Sequence, residues 1–224
     1  DVGQADSILV QSNGINMLID AGTNDMGKTV VKDLQDLGVK KIDVLIGTHP
    51  HEDHIGGLDD VIKNFDIGTI YMPKVQTNTK TFEDVLDAIN EKGLKITSPE
   101  VGYKFNVGNA VCEVMNCGTG TSEEKSNLNL SSIVIRMTYG EQSFLFMGDA
   151  EKENEETRTW PQTNVLKVGH HGSNTSSSQN FLDQVKPHIA IISVGKGNKY
   201  GHPKQVILDR LNKMGVKIYR TDES

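Results

Sequence analysis

The segment His49-Pro50-His51-Glu52-Asp53-His54 constrains this chain more than any other six residues. It follows Ile42 to Ile46, an apolar run short enough for a buried strand, so that strand delivers His49 at its carboxyl end. With His49 and His51 two apart and Asp53 and His54 immediately after, four donor groups can converge from one loop. Imidazole nitrogen suits zinc, iron and manganese, while a carboxylate oxygen adds negative charge and can bind or bridge a second cation. That mixture points to a catalytic rather than a thiolate structural site. The bland alternative, a solvated polar loop whose histidines cap backbone groups, explains a single histidine better than this cluster. Gly56-Gly57 permits close backbone approach where the loop turns into the next helix. Glu52 points away if its neighbours converge, and it receives no role.

Around this segment the hydrophobic pattern divides the chain into two similar halves. Ser7 to Gln11 and Asn16 to Asp20 alternate as strands about the turn Ser12-Asn13-Gly14. Val30, Val31, Leu34 and Leu37 recur at helical spacing, Leu58 to Phe65 suggests a second helix, Thr69 to Met72 a strand, and Phe82, Val85, Leu86 and Ile89 the face of a third helix. From Lys95 to Met147 successive β segments follow: Lys95-Thr97, Tyr103-Val107, Ala110-Asn116, Ser132-Tyr139 and Ser143-Met147. Gly118 to Asn129 within them is polar and reads as a mobile loop. The last third predicts strand Asn164-Val168, helix Gln179-Val185, strand Ile189-Val194, helix Lys204-Met214 and strand Lys217-Tyr219. Two such halves suggest an α/β chain of two sheets packed face to face with helices on the outer faces.

With 224 residues, 36% of them hydrophobic, the chain can bury one sizeable core, and one domain over 1–224 is the expectation. No apolar run approaches the roughly 20 residues that cross a bilayer. The chain opens at Asp1-Val2-Gly3-Gln4 without Met or apolar leader, which reads as a piece of something longer that could itself carry a membrane span. A formal charge of -7 argues against strong nonspecific affinity for nucleic acid, although a local basic strip is compatible with it. Cys112 and Cys117, five apart on one strand, should face opposite ways and stay free thiols.

His-Xaa-His-Xaa-Asp-His after a strand resembles the signature of the metallo-β-lactamase superfamily, whose αββα four-layer sandwich agrees with the two-half pattern. Asp1-Val2-Gly3-Gln4-Ala5-Asp6-Ser7, Leu18-Ile19-Asp20-Ala21-Gly22, Phe146-Met147-Gly148-Asp149 and Lys167-Val168-Gly169-His170-His171-Gly172-Ser173 resemble blocks of one subgroup. Asn198-Lys199-Tyr200-Gly201-His202-Pro203 and Tyr219-Arg220-Thr221-Asp222 extend the likeness over essentially the whole chain. That subgroup includes the hydrolase domain of ComEC-type DNA-uptake proteins. The resemblance implies two divalent ions, zinc or manganese: His49 and His51 on one, Asp53 and His54 on the other, and Asp149 between them. The His170-His171 pair is implied to complete the second of these sites, with at least one as ligand and the other serving substrate or a proton. Asp20 is implied to support the histidine loop through hydrogen bonds, against a plain turn-forming Asp before Gly. One departure stands out. Many family members carry another histidine between the first cluster and the bridging aspartate, and here none lies between His54 and Asp149. The Asn127-Leu128-Asn129-Leu130-Ser131-Ser132 segment resembles the subgroup's replacement, and weak neutral ligands there would loosen the His49/His51 ion and favour one harder than zinc.

Two cations that activate a water and stabilise phosphoryl oxygens make hydrolysis of a phosphoester the economical expectation. Asp53, His171 and His202 are the catalytic candidates. Ser173, Thr175, Asn198 and Tyr200 are candidates for binding anionic oxygens. His202 before Pro203 also reads as an ordinary turn residue at a helix start. Lys167 either approaches the site from below or reaches solvent. His188 reads as an ordinary residue leading into a strand, and Glu151 to Glu156 as a solvated helix beginning. A phosphodiesterase, with single-stranded DNA among its substrates, leads this reading. A non-catalytic metal- or DNA-binding domain and a β-lactamase or thioester hydrolase are the alternatives, because fold does not define substrate. The resemblance also favours an extracellular or cell-surface position.

Overall fold

A computed structural model describes residues 1–223. β1 (Ile8–Ser12) and β2 (Ile15–Ile19) pair antiparallel around Asn13 and Gly14, whose φ angles of 49° and 78° meet the demand of a tight two-residue hairpin turn. α1 (Gly27–Asp36) crosses to β3 (Lys41–Ile46), which runs out into the histidine loop. α2 (Glu52–Ile55) and α3 (Leu58–Asn64) lead to β4 (Asp66–Tyr71), and α4 (Lys80–Glu91) leads to β5 (Ile96–Thr97). These strands form a five-stranded sheet in chain order, parallel from β2 onward.

The second sheet has seven strands. β6 (Lys104–Val107), β7 (Ala110–Asn116), β8 (Val134–Tyr139) and β9 (Gln142–Phe146) form an antiparallel meander, with α5 (Ser122–Ser126) inserted between β7 and β8. Past α6 (Lys152–Glu156), β10 (Val165–Lys167), α7 (Gln179–Val185), β11 (Ile189–Ile192), α8 (Gln205–Lys213) and β12 (Lys217–Arg220) continue the sheet with parallel strands.

Three apolar clusters define the layers. Leu18 and Leu45 face α1, α3 and α4 through Leu34, Leu58, Val61 and Val85. On the opposite faces of the same strands, Met17, Ile19, Val44 and Ile46 meet Cys112, Val114, Ile135 and Met137 of the second sheet. Leu145, Leu166 and Ala190 pack against Trp160, Phe181, Leu182, Ile207 and Leu211 on the far side. Alternation along β2 and β3 thus serves two cores at once, and the layers run helix, sheet, sheet, helix. Cys112 and Cys117 are buried free thiols that burial pushes up to about 12.

The polar stretch Gly118 to Asn129 departs from the expected mobile loop. Thr121 and Glu124 form a reciprocal capping box that starts α5, and Glu124 Oε2 also accepts the backbone N–H groups of Thr119 and Gly120. A 3-10 turn at Leu128–Ser131 follows and buries Asn129, Leu130 and Ser131. The acidic run 151–156 also departs from a solvated face. Lys152, Glu153 and Glu156 are exposed, whereas Glu151 and Glu155 are buried. Glu155 accepts the N–H groups of Ser177 and Ser178.

Candidate metal centre

β3 delivers the histidine loop at the edge of the inter-sheet space, and the loop is held from below. Asp20, in a left-handed conformation at the end of β2 (φ 58°), spends both carboxylate oxygens on it. Oδ1 accepts Thr48 N–H at 2.8 Å, while Oδ2 accepts Thr48 Oγ1 and faces His54 Nδ1, each at 2.7 Å. Asp20 therefore fixes the tautomer and direction of the His54 ring and leaves Nε2 free. The chain also closes on itself here. A Cβ on Gly56 would lie 2.3 Å from Asn24 N and one on Gly57 2.3 Å from Ala21 O, so only glycine lets the loop meet the Asp20-Ala21-Gly22 turn. Glu52 turns away to accept Asn24 N–H at 3.0 Å.

From the second half, Gly148 and Asp149 follow β9, and His170 and His171 follow β10. Both histidines adopt the left-handed region, at φ 49° and 51°, a conformation disfavoured for residues with a Cβ and found disproportionately at functional sites. Their rings diverge, with planes 65° apart. His171 Nδ1 faces the Ser193 carbonyl at 2.9 Å, which turns Nε2 towards Asp53 Oδ2 at 3.4 Å and Asp149 Oδ1 at 3.7 Å. His170 Nδ1 faces Thr175 Oγ1 at 2.9 Å and Glu151 Oε1 at 3.2 Å, which turns Nε2 towards Asp149 Oδ2 at 3.7 Å.

Asp149 is the hub. Its Oδ1 lies 3.2 Å from His54 Nε2, and its Oδ2 lies 4.0 Å from His49 Nε2, which is itself 3.0 Å from His51 Nδ1. One donor atom each from Asp53, His54, Asp149 and His171 falls within a 4.8 Å span. Three of these groups, His54 Nε2, Asp149 Oδ1 and His171 Nε2, are buried atoms that make no hydrogen bond. Orphaned buried polar atoms are costly, and one cation would satisfy all three at once. Two imidazoles and two carboxylates are also a donor set that divalent zinc or manganese accepts, so the residues fit the metal.

The electrostatics agree. Burial opposes charge on His54, yet Asp149 and Asp20 outweigh it and raise the imidazole well above 6.5. Burial likewise opposes ionisation of Asp149, and His54 and His171 overcome it, holding the carboxyl well below 3.8. Asp53, against the same burial cost, is held at about 2 by His171 and His54. His49 goes the other way. Burial and the neighbouring His54 depress it well below 6.5, so it is a neutral imidazole, the form that binds a metal.

A second acidic cluster, Asp6, Asp20 and His54, lies within the same span of one another beneath the loop. It is not a comparable cation site. Lys167, 3% exposed, places Nζ 2.6 Å from Asp6 Oδ2, and both Asp20 oxygens are already engaged. Lys167 therefore supports the site from below. His188 is exposed and away from the cluster.

The metal-facing atoms open into a cleft of roughly 290 Å³ lined by Gln4, His51, Glu52, Asp53, Asp149, His170, His171, Tyr200 and His202. Gln4 gave no sequence signal beyond its place in the Asp1-Val2-Gly3-Gln4-Ala5-Asp6-Ser7 block. Its Oε1 accepts Gly195 N–H at 3.0 Å, and its Nε2 lies 3.5 Å from His202 Nδ1. Burial and the charges of His170 and His171 push His202 down to about 4, so it is neutral at neutral pH. Tyr200 is exposed, stacks on His202 at 23° and carries Lys199 Nζ 5.3 Å over its ring. Three candidate substrate ligands, Ser173, Thr175 and Asn198, do not line this cleft, and Thr175 Oγ1 faces His170 Nδ1 instead. Ser173 Oγ bonds to Thr175, and the Asn198 amide bridges Gly195 and His202 backbone groups, so it shapes the loop under Tyr200.

The Asn-rich segment is likewise redirected. Asn127 and Asn129 donate to Glu151 at 2.7 and 3.0 Å, Ser131 Oγ donates to the Leu128 carbonyl, and Ser132 Oγ accepts Asp149 N–H. These contacts are spent on Glu151, on the turn and on the Asp149 backbone. The buried Glu151 carboxyl, missed as one more acid in a charged run, is held at about 2 against its burial by His170, Asn129 and Asn127.

Comparison with known proteins agrees with this geometry. A family model described as the Metallo-beta-lactamase superfamily matches residues 1–196. The chain is 33% identical over 247 residues to ComE operon protein 3 of Bacillus subtilis, covering 100% of this chain and 31% of that protein. It is 31% identical over 232 residues to competence protein ComA of Neisseria gonorrhoeae, covering 100% of this chain and 30% of that protein. The chain thus spans under a third of the length of either relative. Among solved structures, the metallo-β-lactamase fold protein YhfI from Bacillus subtilis superposes with a TM-score of 0.60 at 13% identity, over 97% of this chain and 89% of that one, a likeness of fold.

Proposed function

Since the chain belongs to the metallo-β-lactamase superfamily, we propose that it is a metal-dependent phosphodiesterase, with single-stranded DNA as its polymeric substrate. The observation that carries the hydrolase reading is the convergence of three orphaned buried donors, His54 Nε2, His171 Nε2 and Asp149 Oδ1, beside Asp53 at the floor of an open cleft. Asp53, His54 and His171 would hold one divalent ion with Asp149 Oδ1, and His49 and His51 would hold a second with Asp149 Oδ2. When bound, such a pair supplies a nucleophile from water at neutral pH and offsets charge on phosphoryl oxygens.

The chain's own residues do the rest. Asp20 keeps His54 oriented, and Ser193 does the same for His171. Gln4 Nε2 donates towards Nδ1 of the neutral His202, which leaves the ring proton on Nε2 as a hydrogen-bond donor to the reacting groups. The Tyr200 hydroxyl and the Lys199 ammonium at the rim suit an anionic diester, and the exposed Tyr200 ring offers a face on which a base can stack. The likeness to a competence protein favours DNA as the polymeric substrate.

The test is turnover by protein loaded separately with zinc and with manganese, offered an aryl phosphodiester, single- and double-stranded oligonucleotides, a β-lactam and a thioester. The expected result is cleavage of the diester and of single strands, lost in Asp149→Ala. Turnover of only the β-lactam or thioester, or none in fully metallated protein, rejects the proposal.

A further inference from the structure

His49 and His51 offer an ion two imidazoles beside Asp149 Oδ2, and the sequence places no further histidine between His54 and Asp149. The geometry supplies one from elsewhere. Consecutive left-handed residues send His170 and His171 to opposite oxygens of Asp149: His171 Nε2 to Oδ1 at 3.7 Å, and His170 Nε2 to Oδ2 at 3.7 Å. Oδ2 is also the oxygen nearest His49, whose Nε2 adjoins His51 Nδ1. Resting on the two-metal reading above, we infer that His170 is the third imidazole of the His49/His51 site and that Glu151 is its positioning residue.

Glu151 is built for that task. It is 7% exposed, and its carboxylate meets His170 Nδ1 with Oε1, which also accepts Asn129 Nδ2, while Oε2 accepts Asn127 Nδ2. Carboxylate, imidazole and metal in series is the arrangement that fixes a ligand's tautomer and raises its basicity. Asn127 and Asn129 hold the carboxylate that faces His170. The two ions then have matched sets of donors: His49, His51, His170 and Asp149 against Asp53, His54, His171 and Asp149. The His49/His51 site is not the weak one.

The experiment is calorimetric titration of chelator-stripped protein with manganese and with zinc, comparing wild type, Glu151→Gln, His170→Asn and the double variant. Gln retains an acceptor for the Asn154 N–H at the start of α6, and Asn tolerates the left-handed backbone at position 170. Wild type should bind two ions with similar affinity. Each single variant should weaken one ion by about 10–100-fold and leave the other unchanged, and the double variant should be no worse than His170→Asn. Cobalt absorption should show one of two sites altered. Unchanged affinities for both ions in Glu151→Gln and His170→Asn overturn the inference while the two-metal reading stands. Equal loss at both sites, the mark of a general structural role, also overturns it. A single ion in wild type removes the two-metal reading and this inference together.

Discussion

His54 stands between two carboxylates that compete with a metal through its protons. Asp20 lies 2.7 Å from Nδ1 and Asp149 3.2 Å from Nε2, and they raise the imidazole well above 6.5, while burial opposes them. Asp149 and Asp53 raise His171 in the same sense. A raised folded pKa means that the proton stabilises the metal-free fold fully below pH 6.5, and that this stability is lost as pH rises through the folded value. A cation must displace that proton, so metal affinity should climb with pH across the neutral range and binding should release protons. Calorimetry at pH 7 in buffers of different ionisation enthalpy should give different apparent heats. Heats independent of buffer would show that the imidazoles are already deprotonated. At this scale the sequence was most legible where chemistry is tied to residue type: His49, His51, Asp53 and His54 announce themselves as a cluster, whereas Asp149 entered through the family resemblance. Glu151 does not, because an acid at a helix start is normally a solvated one. Its burial depends on Asn127 and Asn129, brought to it by a 3-10 turn that no local periodicity marks.

Between elements, the decisive contact is backbone on backbone. The junction of α2 and α3 touches the Asp20-Ala21-Gly22 turn so closely that Gly57 Cα lies 3.0 Å from the Cβ position of Gly27, and a Cβ on Gly57 would fall 2.3 Å from Ala21 O. Gly57 N–H donates to Gly22 O and Ala21 N–H to His54 O, so this junction sets the height of the histidine loop over Asp20. Gly57→Ala should therefore force the turn and the loop apart. We expect a loss of about 1–3 kcal/mol, as for other overpacked sites, together with weaker metal binding. Denaturant unfolding and metal titration of the variant check both. An unaltered midpoint and affinity would mean the junction yields without cost. Elements with several turns or clear alternation, such as α1, α4, α7 and β3, could be read from the sequence because period and burial coincide. α2 spans four residues, too few to show a period, and α5 is stabilised by the Thr121–Glu124 capping box on a fully polar sequence.

Across the whole molecule the site is a joint between two layers. His49 to His54 hang from the five-stranded sheet and Asp149, His170 and His171 from the seven-stranded one, while the apolar seam of Met17, Ile19, Val44 and Ile46 against Cys112, Val114 and Ile135 holds the sheets together behind them. The sandwich was readable because the strand and helix order repeats. The meeting of side chains from both halves at one carboxylate was implied by the family resemblance alone, since nothing in the period or spacing of either half encodes their separation. A ligand that spans the joint binds only when both sheets are assembled, so metal should stabilise the fold as a unit. At a free concentration 100 times the dissociation constant, linkage gives about 2.7 kcal/mol per ion. For a chain of this size each kcal/mol moves the melting temperature by roughly 2–4 °C, so one ion should add about 5–11 °C. Melting followed in chelator and in excess manganese or zinc measures this. Asp149→Ala, which removes the oxygen shared with each half, should abolish most of the shift while keeping the metal-free melting cooperative. An equal shift in Asp149→Ala and wild type would place the stabilising ions elsewhere on the surface.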